Sequence, residues 1–276
     1  MTPPQAKPIQ TAVIVAKLNS KEAEDAAAKI SGLLAAGKVK TYTLLPLKVE
    51  HGIALAQDDL KKIKTDLIFA IGGDGTTLRA FRSFSGDAPV VSMNIGGHKG
   101  ILSEVQISSL HTAIDAILAG KYFFDSRIMI QATIGRKVLP PALNDILITR
   151  ANLTRTPVLS IKLLDDEISQ RMDGIVISTP TGSTGHSFSI GGPVLHEGLG
   201  CLILTPVASV NRMPPLVIPI EEIYIKSNMD MNLVIDGQEA FKSEPDQIVR
   251  ISRFPHDAHF LRLRKSGMRQ LTKLGF

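Results

Sequence analysis

The chain has one cysteine, Cys201, so an intrachain disulfide is impossible and nothing demands an oxidising compartment. Cys201 opens the apolar stretch Cys201-Leu202-Ile203-Leu204, where a buried structural thiol is expected rather than a nucleophile. No apolar run approaches the ~20 residues needed to span a bilayer. The opening stretch, MTPPQAKPIQ, lacks the charged-then-apolar order of a secretory signal and reads as a short flexible lead. Clustered charge is also scarce. The formal net charge is +5, yet lysines and arginines are scattered except for Arg262, Arg264, Lys265 and Arg269. No zinc-ligand spacing and no RNP-like aromatic run accompanies them, which argues against nucleic acid; that basic group reads as a solvated tail face. Internal repeats and low-complexity segments are absent. A cytoplasmic globular protein is expected, without a membrane or nucleic-acid partner. Its positive balance would suit a phosphorylated small molecule.

What is present is ordinary globular composition: 276 residues, 44% hydrophobic and 21% charged, enough for a sizeable core and for one large or two modest domains. Residues 11–18 (TAVIVAKL) form a β-branched run, read as a buried strand. Asn19 is a candidate helix cap with Glu22 three residues on; Ala23, Ala26, Ala27, Ile30, Leu33 and Leu34 then share one helical face, which stops at Gly37. Further strands are expected at 39–45, 66–71 and 89–93, with helices at 58–64, 77–84 and 109–118. Alternation of this kind indicates a parallel sheet covered by helices. After Gly120 the texture becomes all-β, with short apolar or alternating runs from 121 to 252 divided by Pro, Gly, Asp and Asn. The expected architecture is an α/β N-terminal domain over 1–106, with the tail 256–276 as a candidate to complete it as a returning helix. A β-rich, sandwich-like domain is expected over 107–255.

The strongest motif is Gly72-Gly73-Asp74-Gly75-Thr76, between a strand and a helix. Glycines there let backbone N–H groups approach a polyphosphate, and the following helix N-terminus favours negative charge. A carboxylate in such a loop is costly beside phosphate. Asp74 is therefore expected to take a proton from an attacking hydroxyl or to help hold Mg²⁺; a plain turn with Asp74 as cap is the alternative. No Gly-Lys-Ser/Thr follows, so this is not a Walker loop. Arg79 and Asn94 join Gly72, Gly73, Gly75 and Thr76 as candidate nucleotide contacts. Asn94 opens a second glycine-rich loop at the same sheet edge, through Gly96, Gly97, His98, Lys99 and Gly100; it is either a phosphate-reaching loop or a simple connection. Asn144-Asp145 is a polar pair inside the apolar run 142–148. Asp173-Gly174 opens a strand that closes in Ser178-Thr179-Pro180-Thr181-Gly182-Ser183-Thr184-Gly185-His186-Ser187, a dense cluster of hydroxyls and glycines. Asp236-Gly237 reads on its own as an ordinary hairpin turn.

Together these motifs, from Ile71 to Gln238, resemble the NAD kinase family. Gly-Gly-Asp-Gly-Thr is shared with diacylglycerol and sphingosine kinases, and more distantly phosphofructokinases; Asn-Asp followed by Thr-Pro-Thr-Gly-Ser-Thr tips the choice. The resemblance implies an active site between two domains, ATP with Mg²⁺ or another divalent metal, NAD as acceptor, and a homodimer or homotetramer. It implies Asp74 as general base toward the 2′-hydroxyl of the adenosine ribose and the loop glycines at the phosphates. Asn144, Asp145, Asp173, Thr181, Thr184, Gly185, His186 and Ser187 would bind NAD, with Asp236 near the reacting centre. No metal ligand is assigned. The family usually has Glu at the place of Asp145, Ala-Tyr at Gly185-His186 and Phe at Ile101, in a loop one residue shorter. These departures would suit a divergent, archaeal-type member. The alternatives are a lipid-type kinase with the same loop, although no amphipathic anchor is visible, and a nucleotide-binding regulator without catalysis, against which Asp74 stands.

Overall fold

A computed structural model describes residues 8–84, 88–96, 100–265, 268–269 and 274. Gly97, His98 and Lys99 of the second glycine-rich loop lie outside them, as does most of the tail beyond Arg269. The described residues form two compact units. One holds those up to Ser126 together with Ala258–Arg269; the other holds Arg127–Asp257.

The first unit begins with β1 (Thr11–Ala16), α1 (Lys21–Ala36), β2 (Lys40–Leu44), β3 (Gly52–Leu55) and α2 (Gln57–Leu60). It continues with β4 (Leu67–Ile71), α3 (Asp74–Ser83), β5 (Val90–Asn94), β6 (Val105–Gln106), α4 (Leu110–Leu118) and β7 (Phe123–Arg127). Strands β1 to β6 pair in parallel, as alternation with helices requires. Parallel sheets are buried on both faces, and β1 and β4 accordingly read as continuous apolar runs. Ala12, Ile14, Leu67, Phe69 and Ile71 point into one cluster with Ala23, Ala27, Ile30 and Leu34 of α1 and Ile114 and Ile117 of α4. Val13, Val15, Ile68 and Ala70 face the other way and are equally buried; α3 packs against these strands. The helical face read from the sequence is therefore correct, and Gly37 ends α1 with its N–H bonded to Leu33 O. The cap is Ser20 rather than Asn19: the Ser20 hydroxyl accepts from Ala23 N, and Asn19 takes a positive φ of 53° in the turn before it.

The second unit contains β8 (Ile130–Ile134), β9 (Lys137–Ala142), β10 (Asp145–Arg150), β11 (Val158–Leu163), β12 (Asp166–Arg171) and β13 (Gly174–Ser178). A short helix α5 (His186–Ser189) is followed by β14 (Cys201–Val207), β15 (Leu216–Pro219), β16 (Ile223–Ser227), β17 (Met231–Ile235), β18 (Glu239–Ser243) and β19 (Val249–Arg253). Two six-stranded sheets result, ordered β15-β14-β13-β10-β17-β18 and β12-β11-β16-β19-β8-β9, antiparallel at every described pairing. Ile146, Ile148, Ile175, Ile177 and Leu233 of the first sheet share one apolar cluster with Ile130, Ile161, Ile225 and Ile251 of the second, the interior of a sandwich. Cys201, at the start of β14, is half-buried rather than buried, and burial raises its thiol.

After this sandwich the chain returns to the first unit as β20 (Ala258–Arg262). It is a strand, not the helix considered for the tail. The first sheet then reads β3-β2-β1-β4-β5-β20-β7, with β6 also on β5. β20 pairs in parallel with β5, and Phe260 meets Phe81 of α3 edge-on at 4.7 Å. Helix α4 and strand β7, which the sequence reading grouped with the β-rich segment, belong to the first unit, because the α4 face joins the first core. Among the described residues no helix is long and apolar enough to cross a membrane.

Candidate active site

The candidate residues fall into two clusters, one in each unit. In the first, β4 ends at Ile71, and Gly72-Gly73 turns the chain directly into α3, whose first residue is Asp74. The helix therefore starts three residues earlier than its apolar pattern shows. Asp74 occupies the position where a carboxylate best meets the partial positive charge of a helix N-terminus. Its side chain accepts from two further backbone donors: Ile101 N to Oδ2 and Leu102 N to Oδ1, both at 3.1 Å. Hydrogen bonds to a charged acceptor contribute about 1.5–3 kcal/mol each. Gly100 makes this approach possible, since a Cβ there would overlap Oδ1 and lie 2.7 Å from the Asp74 Cγ. The second glycine-rich loop thus meets the first at the carboxylate. That contact was not foreseen, although the glycine at position 100 was its signal.

Around this loop, Thr76 is buried and Gly73 and Gly75 are exposed. The half-buried Arg79 donates through Nη2 to Ala16 O, while its Nε is buried without a partner among the described residues. Burial, and then the charge of Arg82, lower the Arg79 guanidinium from its ordinary value. Asn94 is buried, and its Oδ1 accepts from Gly96 N at 3.3 Å, which shapes the loop. Lys17, overlooked in the sequence, follows β1; its N–H bonds Ile71 O at 2.8 Å, which puts a cation's backbone beside the phosphate-type loop.

In the second unit the elements converge at one end of β10 and β13. Asp236 lies in the β17–β18 hairpin, where it and Gly237 take φ of 50° and 66°. The turn reading is correct but incomplete. The Asp236 carboxylate accepts from the N–H groups of Leu143, Asn144 and Asp145 at 3.2, 2.8 and 3.2 Å, and Asp236 N donates to Asp145 O. Three donors fix it as the ionised member. Asp145 is 6% exposed and has a carboxyl raised from 3.8 to about 7, by burial first and by the Asp236 charge second. Asn144-Asp145 thus sits at the entry to β10 rather than within an apolar strand.

The hydroxyl-rich segment forms a buried 3₁₀ turn, Thr181–Thr184, against this end. Thr179 donates to Leu143 O and accepts from Gly182 N, and Ser178 donates to Asn144 O. A Cβ at Gly182 would stand 2.5 Å from the Asn144 carbonyl carbon and 2.7 Å from its Cα. Ser183 bonds the backbone of Leu195. The Thr181 and Thr184 hydroxyls are buried with no partner among the described residues. Beside them is Gly185, where a Cβ would be 3.7 Å from Asp145 Oδ2, followed by the exposed His186. Two candidates stand apart. Ser187 is fully buried, with its Oγ 2.7 Å from Thr205 Oγ1, so its hydroxyl is committed to the interior. Asp173 precedes the far end of β13, about 16 Å along the strand from Ser178, and forms an ion pair with Arg150 at 3.0 Å. Among the described residues no group of three His, Cys, Asp or Glu side chains is placed to hold a metal ion.

Comparison with known proteins assigns both units. Residues 13–122 match the ATP-NAD kinase N-terminal domain and residues 143–263 the ATP-NAD kinase C-terminal domain. The NAD kinase of Thermococcus sibiricus is 34% identical over 260 residues, 90% of this chain and 92% of its own. That of Pyrococcus abyssi is 36% identical over 246 residues, 85% of each chain. Among solved structures, yeast NADH kinase complexed with NADH superimposes with a TM-score of 0.87 at 19% identity, over 98% of this chain and 87% of its own. An Archaeoglobus fulgidus NAD kinase in complex with ATP gives 0.75 at 23% identity, over 97% and 98%. With a strand-to-helix loop ending on a clamped aspartate, a sandwich ending in an Asp–Asp pair, and relatives matched along nearly its whole length, this chain belongs to the ATP-NAD kinase family.

Proposed function

We propose that the protein transfers the terminal phosphate of ATP to the 2′-hydroxyl of the adenosine ribose of NAD, giving NADP and ADP. The observation that carries this reading is Asp74, a carboxylate at a helix N-terminus held in one orientation by two backbone N–H groups. As the ribose oxygen forms its bond to the γ-phosphorus, the bond from that phosphorus to the β-phosphate oxygen breaks, ADP departs, and Asp74 accepts the hydroxyl proton. Each Asp74 oxygen keeps a lone pair beyond its backbone bond, so the group can receive that proton without leaving its seat. Gly73 and Gly75 bring backbone, and Thr76 a hydroxyl, toward the donor phosphates, while Gly72, whose N–H bonds Met93 O, turns the chain so that they can approach; Arg79 supplies charge and Asn94 shapes the neighbouring loop. In the other unit, the hydroxyls of Thr181 and Thr184, without partners among the described residues, and the carboxyl of Asp145, raised to about 7, supply polar contacts for NAD, beside Asn144, Gly185 and His186. Asp236 holds that end of the strand in place, and Ser187 supports the turn from within.

Among the described residues no cluster of three His, Cys, Asp or Glu side chains forms a cage for a divalent ion. Mg²⁺ is therefore proposed to arrive on the nucleotide phosphates, held largely by phosphates and water with Asp74 or Asp236 as a candidate contact, and to neutralise charge on the triphosphate. We place the enzyme in the cytoplasm as a homodimer or homotetramer, the latter on family resemblance alone; light scattering that returned a fully active monomer would remove it. The central experiment measures NADP formation from NAD and Mg²⁺-ATP by wild type and Asp74→Asn. General-base catalysis contributes ~10²–10⁴-fold, so kcat should fall by that factor with KM little changed, and EDTA should abolish the wild-type rate. An Asp74→Asn enzyme with most of its kcat would refute the assignment.

A further inference from the structure

The basic group near the end of the chain is not a solvated face. Arg264 and Lys265 are exposed, but Arg262 is 1% exposed, buried like a core side chain. Its Nε donates to Asp125 Oδ2 at 3.2 Å, and its Nη1 to Leu102 O at 2.9 Å and toward Glu104 Oε2 at 3.5 Å. Its guanidinium stacks over the Phe260 ring at 4.3 Å. Glu104 is 3% exposed in its side chain and takes further donors: Leu263 N and Arg264 N on Oε1, at 2.9 and 3.1 Å, and Arg269 Nη2 on Oε2 at 3.0 Å. Two cations and two anions are thereby brought together inside the first unit.

Burying the Arg262–Glu104 pair is costly, and apolar side chains would fill the volume more cheaply. The placement explains the expense. Leu102 donates its N–H to the Asp74 carboxylate and, from the same residue, offers its carbonyl to Arg262. Glu104, two residues on, is pinned by Arg262, by Arg269 and by the backbone of β20's end, while its N–H bonds Ser92 O in β5. The stretch 101–104 is thus stretched between Asp74 at one side and the buried ion cluster at the other. We infer that Arg262 is a positioning residue: through Leu102 and Glu104 it holds the two N–H groups that orient the Asp74 carboxylate for proton removal. The inference rests on the reading of Asp74 as the base. Only arginine meets the demand, because its planar fork serves Asp125, Leu102 and Glu104 at once while its face lies on Phe260; a lysine head is a single point. A displacement of about 1 Å at a reacting group costs on the order of 10²-fold in rate.

The test is Arg262→Lys in the full-length enzyme, with three readouts. Amide exchange at Ile101 and Leu102 should quicken at least tenfold, while the amides of β4 keep their protection. kcat should fall ~10–100-fold with KM for NAD and ATP within about threefold. In an Asp74→Asn background the same change should cost less than twofold, because the group it positions is already lost. Glu104→Gln, which keeps an acceptor for Leu263 N and Arg264 N, should show the same pattern more weakly and serves if the lysine variant does not fold. Unchanged exchange at the two amides, an undiminished kcat, a loss confined to KM, or losses that multiply in the double variant would each overturn the inference. Retention of kcat by Asp74→Asn alone would instead remove the base assignment, and the exchange data would still report whether the clamp exists.

Discussion

Asp145→Asn should stabilise the protein, and by an amount that grows with pH. The Asp145 carboxyl is raised to about 7 in the folded state against 3.8 when free, so folding holds a proton that the unfolded chain releases at lower pH. The sign follows from linkage: between roughly pH 4 and pH 7 the native state binds more protons than the unfolded state, so stability falls as pH rises and levels off above about 7. Each tenfold change in proton affinity is worth about 1.4 kcal/mol, which sets an upper bound on the order of 4 kcal/mol; relaxation around the charge reduces it to about 2–4 kcal/mol. Asparagine is nearly isosteric and carries no charge, so it opens no cavity beside Gly185 and removes the cost. Urea unfolding followed by far-UV circular dichroism, from pH 4.5 to pH 8, gives the difference between variant and wild type at each pH, in which titrating groups not coupled to Asp145 cancel. The difference should be smallest at pH 4.5, about 1 kcal/mol, and reach about 2–4 kcal/mol at pH 8. A difference that stays within about 0.5 kcal/mol across the range would show that Asp145 is not held neutral, and would take with it the assignment of Asp236 as the charged partner.

Two substitutions at glycines probe the clusters directly. Gly100→Ala puts a methyl group onto the Asp74 carboxylate, which must rotate off Ile101 N and Leu102 N. kcat should fall by ~10²-fold or more in a protein that still folds, and a steady-state assay showing full turnover would mean that the clamped orientation is not the working one. Gly182→Ala meets main chain at Asn144 rather than a side-chain tip, so nothing can yield cheaply. Overpacking of this kind costs about 1–3 kcal/mol; the melting temperature should drop by several degrees, and one within a degree of wild type would show that the turn and strand end separate readily.

Much of this was legible in the sequence. Strands β1 and β4 are short β-branched runs between breakers, and the period of α1 put Ala23, Ala26, Ala27, Ile30 and Leu34 on its buried side. What escaped has physical causes. Gly52–Leu55 is half-buried at the sheet edge and carries no strong alternation, so β3 passed as loop. Ser20 and Asn19 are adjacent capping types, and only backbone geometry separates them. The buried state of Arg262 depends on Glu104 and Asp125, 158 and 137 residues earlier, and composition near the tail cannot reveal partners that distant. At the site, residue types pointed to Asp74, whereas Asp236 read as an ordinary turn and entered only through the family resemblance. Three backbone N–H groups on one acid and burial of the other, not their chemistry, decide that Asp145 keeps the proton.

The return of β20 to the first sheet also sets an order of events during synthesis. β5 reaches the growing end of the chain by residue 94, but the strand that flanks it, and the arginine that tethers the loop at 101–104, follow more than 160 residues later. At ~5–20 residues per second, that interval lasts on the order of ten seconds or more. Throughout it the β5 edge facing away from β4 has no β20 to pair with, and every strand of the inserted sandwich is made before β20 emerges. The nascent first unit therefore presents an open parallel-sheet edge at the Val90 end of β5, since Met93 and Asn94 already pair with β6, at the stage when strand edges recruit unintended partners. The Arg262 tether on Leu102, one residue of the Asp74 clamp, arrives only with that last strand.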